Sequence, residues 1–128
     1  MSRSQVALYY HLLLGTKNRE PHIPESIEPE LYDYITSAVR KHRGSIVTIG
    51  GTSNHVHLLA RLSQHESLKD VMRALKAGSS AWMHEAAGMK DFRWQNGYGA
   101  YTVGEKEIPR MERYIIGQKE HHRDDRVE

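Results

Sequence analysis

The chain has 128 residues, with 18 basic and 16 acidic side chains, nine histidines and no cysteine. This length and an ordinary globular composition predict one folded domain, 1–128, and exclude a disordered chain. The lack of cysteine excludes disulfide frameworks, cysteine-ligated zinc, iron–sulfur clusters and thiol nucleophiles. The net charge of +2 is mild, but 11 of the 18 basic residues are arginines, which suit forked contacts to phosphate.

The apolar pattern predicts the order strand, helix, strand, strand, helix, strand, helix. In chain order, these elements are expected at 5–14, 29–43, 45–49, 54–62, 67–86, 98–103 and from 105 to about 121. Gly50-Gly51-Thr52-Ser53 is expected to be a hairpin turn, and the tail 123–128 is expected to fray. The predicted fold class is α+β: a ferredoxin-like antiparallel sheet with helices on one face.

No segment is long and apolar enough to indicate a membrane span. The longest apolar run, 6–14, is interrupted by His11, and charged residues follow it where a secretory signal would have small ones. We therefore expect a cytoplasmic protein without a membrane partner.

A histidine pair on the third predicted strand is the strongest chemical signal. Because strand side chains alternate, His55 and His57 point to one face, while Val56 and Leu58 point to the core. Two imidazoles at this spacing can converge on one metal ion, although two histidines on an exposed face can also alternate by chance. Five other histidines show no spacing that indicates chemistry, and the two near the chain end are unassigned: His11, His22, His42, His65, His84, and His121 and His122.

The last predicted helix carries a tyrosine and a glutamine on one face. Tyr114 and Gln118 are four residues apart, beside an apolar stripe that should pack on or near the sheet. Taken alone, the pair is better explained as a tyrosine at the edge of the core with a polar neighbour.

Three sequence blocks together resemble one known family. The H-x-H of 54–59, the Y-x-x-x-Q of 114–118 and the W-Q-x-G-Y block of 94–103 resemble the single-tyrosine HUH transposases. This family comprises small insertion-sequence enzymes that move single-stranded DNA and the REP-associated tyrosine transposases. The resemblance covers residues 10 to 122, with departures at Asn54, where relatives commonly carry an acid, and at Tyr101-Thr102 in place of Phe-Ser.

The resemblance implies an HUH endonuclease with a tyrosine nucleophile. His55, His57 and Gln118 match its metal ligands, and Tyr114 matches its nucleophile. The implied cofactor is a divalent metal, Mg²⁺ or Mn²⁺, although the ligand types also tolerate Zn²⁺. The implied activity is metal-dependent cleavage and rejoining of single-stranded DNA during transposition, through a 5′-phosphotyrosine intermediate. The implied partners are hairpin ends of a mobile element and a second copy of the chain, with the terminal helix exchanged about Gly104.

Basic side chains away from the predicted core faces are candidate DNA contacts. They lie on one side of the second long helix and at the end of the first: Lys69, Arg73 and Lys76, and Arg40, Lys41 and Arg43. Solvated helix faces explain such stripes about as often as nucleic-acid binding does. Phe92 and Trp94 are candidates for stacking on unpaired bases, with a core position slightly favoured for Trp94.

Two other functions stay compatible with the sequence. One is a domesticated protein that binds a DNA or RNA hairpin without cutting it. The other is a small zinc hydrolase that uses His55, His57 and a further histidine to activate water.

Overall fold

The computed structural model describes residues 4–118 and has the predicted order of elements. The strands and helices are β1 (Leu8–Gly15), α1 (Glu28–Lys41), β2 (Ser45–Thr52), β3 (His55–Leu62), α2 (Leu68–Glu85), β4 (Gly99–Val103) and α3 (Ile108–Ile116). Short 3-10 turns occupy Lys17–Arg19 and Glu105–Glu107. The predicted continuation of the last helix to about 121, with His121 and His122, and the tail 123–128 lie outside the described residues.

The four strands form one antiparallel sheet in the order β2-β3-β1-β4, which confirms the ferredoxin-like prediction. The apolar sides of α1 and α2 pack on one face of this sheet and enclose the main core. The short helix α3 instead lies against β2 and β3 on the opposite face, where Ile115 contacts Gly50. The expectation of helices on one face therefore holds for α1 and α2, and α3 is the exception.

Strand alternation places the core as expected. Val56, Leu58 and Ala60 of β3 and Leu12 and Leu14 of β1 are buried under the two long helices. α2 begins after Ser67, whose hydroxyl accepts a hydrogen bond of 3.0 Å from the Asp70 backbone N–H, as the capping pattern predicts. No helix within residues 4–118 combines the length and the apolar character needed to cross a bilayer.

The predicted hairpin turn is wrong by about three residues. Gly50 and Gly51 belong to β2 and pair with His57 and Val56, so the connection between the strands is only Ser53-Asn54. At Gly50 the helix α3 comes very close to the sheet, because a Cβ on this residue would lie 2.8 Å from the Ile115 carbonyl oxygen. The missing side chain lets α3 lie directly on the sheet.

The loop before β4 is anchored in the core. Phe92 and Trp94 are buried with their ring centroids 4.7 Å apart, and the Trp94 Nε1–H donates to Ser79 Oγ at 2.8 Å. The prediction that Phe92 stacks on unpaired bases is therefore wrong, while the core position for Trp94 is confirmed. With these two rings fixed, the exposed residues that follow them are held at one end of the sheet.

Candidate active site

The histidine pair lines a cleft of about 520 Å³ at the end of the sheet where β1 ends and β3 begins. His55 and His57 share one face of β3, and their ring centroids are 4.8 Å apart. The loop 95–98, Asn54 and residues of α3 form the other walls. Strand alternation thus predicts the pair correctly, and the structure adds a cleft large enough for part of a nucleotide chain.

Packing of α3 on β2 brings Tyr114 and Gln118 to the histidines. Ile115 is fully buried over Gly50, and Thr48 Oγ1 donates to Glu112 Oε2 at 3.1 Å. The Tyr114 ring centroid lies 5.8 Å from that of His57, and Gln118 Oε1 lies 3.2 Å from His55 Nε2. The four residues that the family resemblance singles out therefore meet within one chain.

Asn54 determines which nitrogen of His55 carries the proton. The Asn54 side-chain N–H donates to the Arg19 carbonyl at 3.3 Å, which turns its amide oxygen towards His55 Nδ1 at 2.7 Å. An amide oxygen only accepts, and the Thr52 hydroxyl, 3.0 Å from the same nitrogen, donates its own proton to Asn54 Oδ1, so Nδ1 of His55 is the donor. In the neutral ring, Nε2 then presents a lone pair. The amide of Asn54 thus orients the imidazole of His55.

The chemistry of this donor set fits a metal ion. Gln118 Nε2 donates to the Tyr114 carbonyl at 3.3 Å, so its amide oxygen faces Nε2 of His55. Two electron-pair donors that face each other at this distance repel unless a proton or a metal cation lies between them. Within residues 4–118 no group of three His, Cys, Asp or Glu side chains could share one ion. A three-residue centre at this cleft therefore needs a ligand of another type, and the amide oxygen of Gln118 lies 3.2 Å from His55 Nε2.

His11, which its sequence spacing did not single out, contacts the site directly. Its Nε2 lies 2.7 Å from His57 Nδ1, and its ring centroid lies 6.0 Å from that of Tyr114. Burial lowers the pKa of His11, which favours the neutral ring. The spacing within β1 gave no signal, because the contact depends on the register between β1 and β3.

The predicted DNA-contacting residues fall into separate groups. Arg40, Lys41 and Arg43 precede β2, whose first residue, Ser45, pairs with Arg61. Arg61 is six residues along β3 from His55, so this cluster lies roughly 20 Å from the cleft. The structure does not bring these three residues to the histidine pair.

On α2, only one of the three predicted contacts adjoins the cleft. The Lys76 ammonium donates to the Gln95 and Gly97 carbonyls at 2.7 Å each, and burial lowers its pKa. It therefore holds the loop that forms one cleft wall. Lys69 and Arg73 are exposed farther back on the helix. Among residues 4–118, the basic side chain that lines the cleft itself is Arg19, which the sequence analysis did not single out.

Fold and site together define a small α+β protein with two histidines, a glutamine and a tyrosine around one cleft. The family model described as IS200-like transposase matches residues 4–118. The chain therefore belongs to the IS200-like transposase family, in agreement with the resemblance of its sequence blocks.

Individual relatives are distant but span most of the chain. The ISDra2 transposase TnpA of Deinococcus radiodurans is 25% identical over 117 residues, which cover 87% of this chain and 84% of that protein. A crystal structure of a Deinococcus radiodurans R1 protein described as a transposase is 24% identical, has a TM-score of 0.71, and the match covers 92% of this chain and 98% of that one. A REP-associated tyrosine transposase bound to a REP hairpin is 18% identical with a TM-score of 0.69, and the match covers 95% and 74%. The last two likenesses concern the fold.

Proposed function

We propose that this protein is a metal-dependent transposase that cleaves and rejoins single-stranded DNA through a 5′-phosphotyrosine intermediate. The observation that carries the proposal is the convergence of Tyr114, Gln118, His55 and His57 on one cleft. In particular, His55 Nε2 and Gln118 Oε1 lie 3.2 Å apart, and the Tyr114 ring lies beside that of His57. Membership of the transposase family supports the reaction class.

The proposed reaction exchanges one phosphodiester for another. The Tyr114 oxygen attacks a backbone phosphorus, a P–O bond to Tyr114 forms, and the bond from phosphorus to the 3′ oxygen breaks. The tyrosine proton is balanced by the proton that the released 3′ oxygen gains. A later 3′-hydroxyl attack on the phosphotyrosine reverses these steps on a new strand, so no nucleoside triphosphate is consumed.

The proposed ion is Mg²⁺ or Mn²⁺, as the family resemblance implies. His55, His57 and Gln118 would hold the ion by two imidazole nitrogens and one amide oxygen. When bound, a divalent ion polarises a non-bridging phosphate oxygen and offsets the charge that develops on phosphorus. Asn54 keeps the ring of His55 in the tautomer with Nε2 unprotonated, and the half-exposed Tyr114 side chain lines the cleft.

The proposed substrate is a single strand next to a hairpin end of a mobile element. Arg19 supplies a positive charge inside the cleft, and the exposed Tyr98 ring offers a surface for stacking on an unpaired base. Lys69 and Arg73, and the remote cluster formed by Arg40, Lys41 and Arg43, remain proposed contacts for the duplex part of the hairpin. The hairpin-bound REP-associated transposase, which shares this fold, supports such a substrate. Because the proposed substrate is DNA, we also propose a cytoplasmic location.

Covalent capture tests the proposal as a whole. Purified protein is incubated with a set of labelled single-stranded hairpin oligonucleotides and Mn²⁺, with EDTA as the control. We expect a denaturation-resistant protein–DNA band that is lost with EDTA. Hairpin affinity without any band in Mn²⁺ would instead support the hairpin-binding function. The absence of both hairpin binding and a covalent band would contradict the proposal.

We further propose a homodimer in which α3 is exchanged between chains. In the single chain α3 packs on its own β2 and β3, and the exposed Gly104 between β4 and α3 leaves space for a pivot. The same contacts then form between two copies.

Complementation between two inactive variants tests the exchange. Co-expressed Tyr114→Phe and His57→Ala chains form mixed dimers, and an exchanged helix brings the intact tyrosine of one chain to the intact histidines of the other. We expect the adduct to return at about a quarter of the wild-type level, carried by the His57→Ala chain. If each helix stays on its own sheet, every site lacks one group and no adduct forms.

A further inference from the structure

We propose that His11 is a positioning residue for His57: it accepts a hydrogen bond from His57 Nδ1 and so keeps Nε2 of His57 as an electron-pair donor. The proposal rests on the metal-dependent function proposed above, because only that function requires Nε2 to be unprotonated. It assigns a role to a buried polar side chain that neither the ligand set nor the nucleophile uses.

The contact between the His11 and His57 rings is short, and the two ring planes are nearly parallel. His11 Nε2 and His57 Nδ1 are 2.7 Å apart, and the ring planes differ by 17°. His11 is 8% exposed and His57 is 4% exposed, so neither nitrogen of this bond can readily exchange its partner for water. In a hydrogen bond between two neutral imidazoles, one nitrogen carries the proton and the other accepts it.

Only one of the two tautomer pairs is compatible with a metal ligand. If His11 Nε2 donates, then Nδ1 of His57 is the acceptor and its Nε2 carries the proton, which blocks coordination by that atom. If His57 Nδ1 donates, then Nε2 of the same ring has the lone pair. Asn54 imposes the equivalent state on His55 by a different route, through an amide oxygen 2.7 Å from its Nδ1. Both histidines of the pair then present the same nitrogen.

The sheet explains why His11 is held in place. It lies on the central strand β1, where its register partners are Leu59 of β3 and Tyr101 of β4. Leu13, two residues along β1, is the partner of His57, so His11 reaches His57 diagonally on the same face. The Tyr101 and Tyr114 rings lie about 6 Å away, with centroid distances of 6.1 and 6.0 Å. These neighbours restrict the rotation of the His11 ring.

The direct test is the tautomer of His57 in the metal-free protein. In ¹⁵N NMR spectra of the wild type at neutral pH, we expect the pattern of an Nδ1–H ring. His11→Leu removes the acceptor and should shift His57 towards the Nε2–H form or a mixture of both. His11→Gln places an amide oxygen near the position of the imidazole Nε2 and should restore the wild-type pattern. An Nε2–H ring in the wild type would overturn the proposal.

Mn²⁺ affinity, measured by titration without DNA, is the second measurement. Loss of a partner behind a metal-bound histidine typically weakens binding about 10–100-fold, and we expect this for His11→Leu and near-normal affinity for His11→Gln. His84→Leu is the matched control, because it removes a half-buried histidine bonded to the Phe92 carbonyl outside the cleft. Unchanged affinity in a folded His11→Leu chain would overturn the role of His11. No Mn²⁺ binding by the wild type would instead contradict the metal-dependent function, while the tautomer measurement still decides the hydrogen bond.

Discussion

Tyr114→Phe is expected to lower formation of the covalent protein–DNA product by at least about 10³-fold, because it removes the oxygen that attacks phosphorus in the proposed cleavage step. The Tyr114 side chain is 43% exposed and lies outside the main core, so the variant should stay folded. Hairpin binding should persist, because the cleft and its Arg19 are unchanged. Denaturing gels with labelled DNA measure the product, and fluorescence anisotropy measures the binding.

Tyr101→Phe is the matched control for this experiment. Tyr101 is 62% exposed on β4, and its ring approaches the candidate site to 6.1 Å from that of His11. Tyr101→Phe therefore removes a phenolic oxygen on the same face of the sheet and leaves the proposed nucleophile, Tyr114, in place. We expect its adduct to form at the wild-type level. An adduct in Tyr114→Phe would show that another group attacks the phosphorus.

The sequence predicts the elements that depend on local pattern. Alternation along β3 places His55 and His57 on one face, and the Ser67 cap begins α2 where expected. The helical spacing also places Ile115 on a packing face, because four residues make about one turn. Each of these features needs only the periodicity of one segment, together with the rule that apolar side chains are buried.

Features that depend on contacts between segments are predicted less well. Gly50-Gly51 is typical of a turn, yet both glycines lie in β2, where the missing side chain of Gly50 leaves space for α3. His11 is one isolated histidine until the register of β1 against β3 places it beside His57. Lys76 resembles a member of a basic stripe, but its ammonium is held by two loop carbonyls. The hydrogen-bond partners and the tertiary positions decide these roles, and neither is encoded in spacing alone.

The contact between Gly50 and α3 also explains how a helix of nine residues can position chemistry. Such a short helix is not stable by itself, so its position depends on the surface on which it packs. Ile115 is buried against Gly50, while Tyr114 and Gln118, on either side of it, reach the histidine pair. A displacement at Gly50 is therefore passed directly to the proposed nucleophile and third ligand.

Gly50→Ala is expected to separate activity from folding. The added Cβ would lie 2.8 Å from the Ile115 carbonyl oxygen and 3.2 Å from Ile115 Cγ2, so the backbone of α3 must move. Overpacking of this kind costs about 1–3 kcal/mol of unfolding free energy, which a domain of this size normally tolerates. A shift of about 1 Å in a reacting group can lower a rate about 10²-fold, and we expect a loss of this order in adduct formation.

The control for Gly50→Ala is Ser45→Thr, which adds one methyl group at the exposed start of the same strand. It should leave both the thermal midpoint and the adduct rate at wild-type values. The main core lies on the other face of the sheet, so Gly50→Ala should keep its cooperative unfolding and its hairpin affinity. A wild-type adduct rate in Gly50→Ala would mean that the contact between α3 and Gly50 does not set the position of Tyr114. Because an exchanged helix would meet the same glycine on the partner chain, the predicted loss holds for either arrangement and isolates the contact itself.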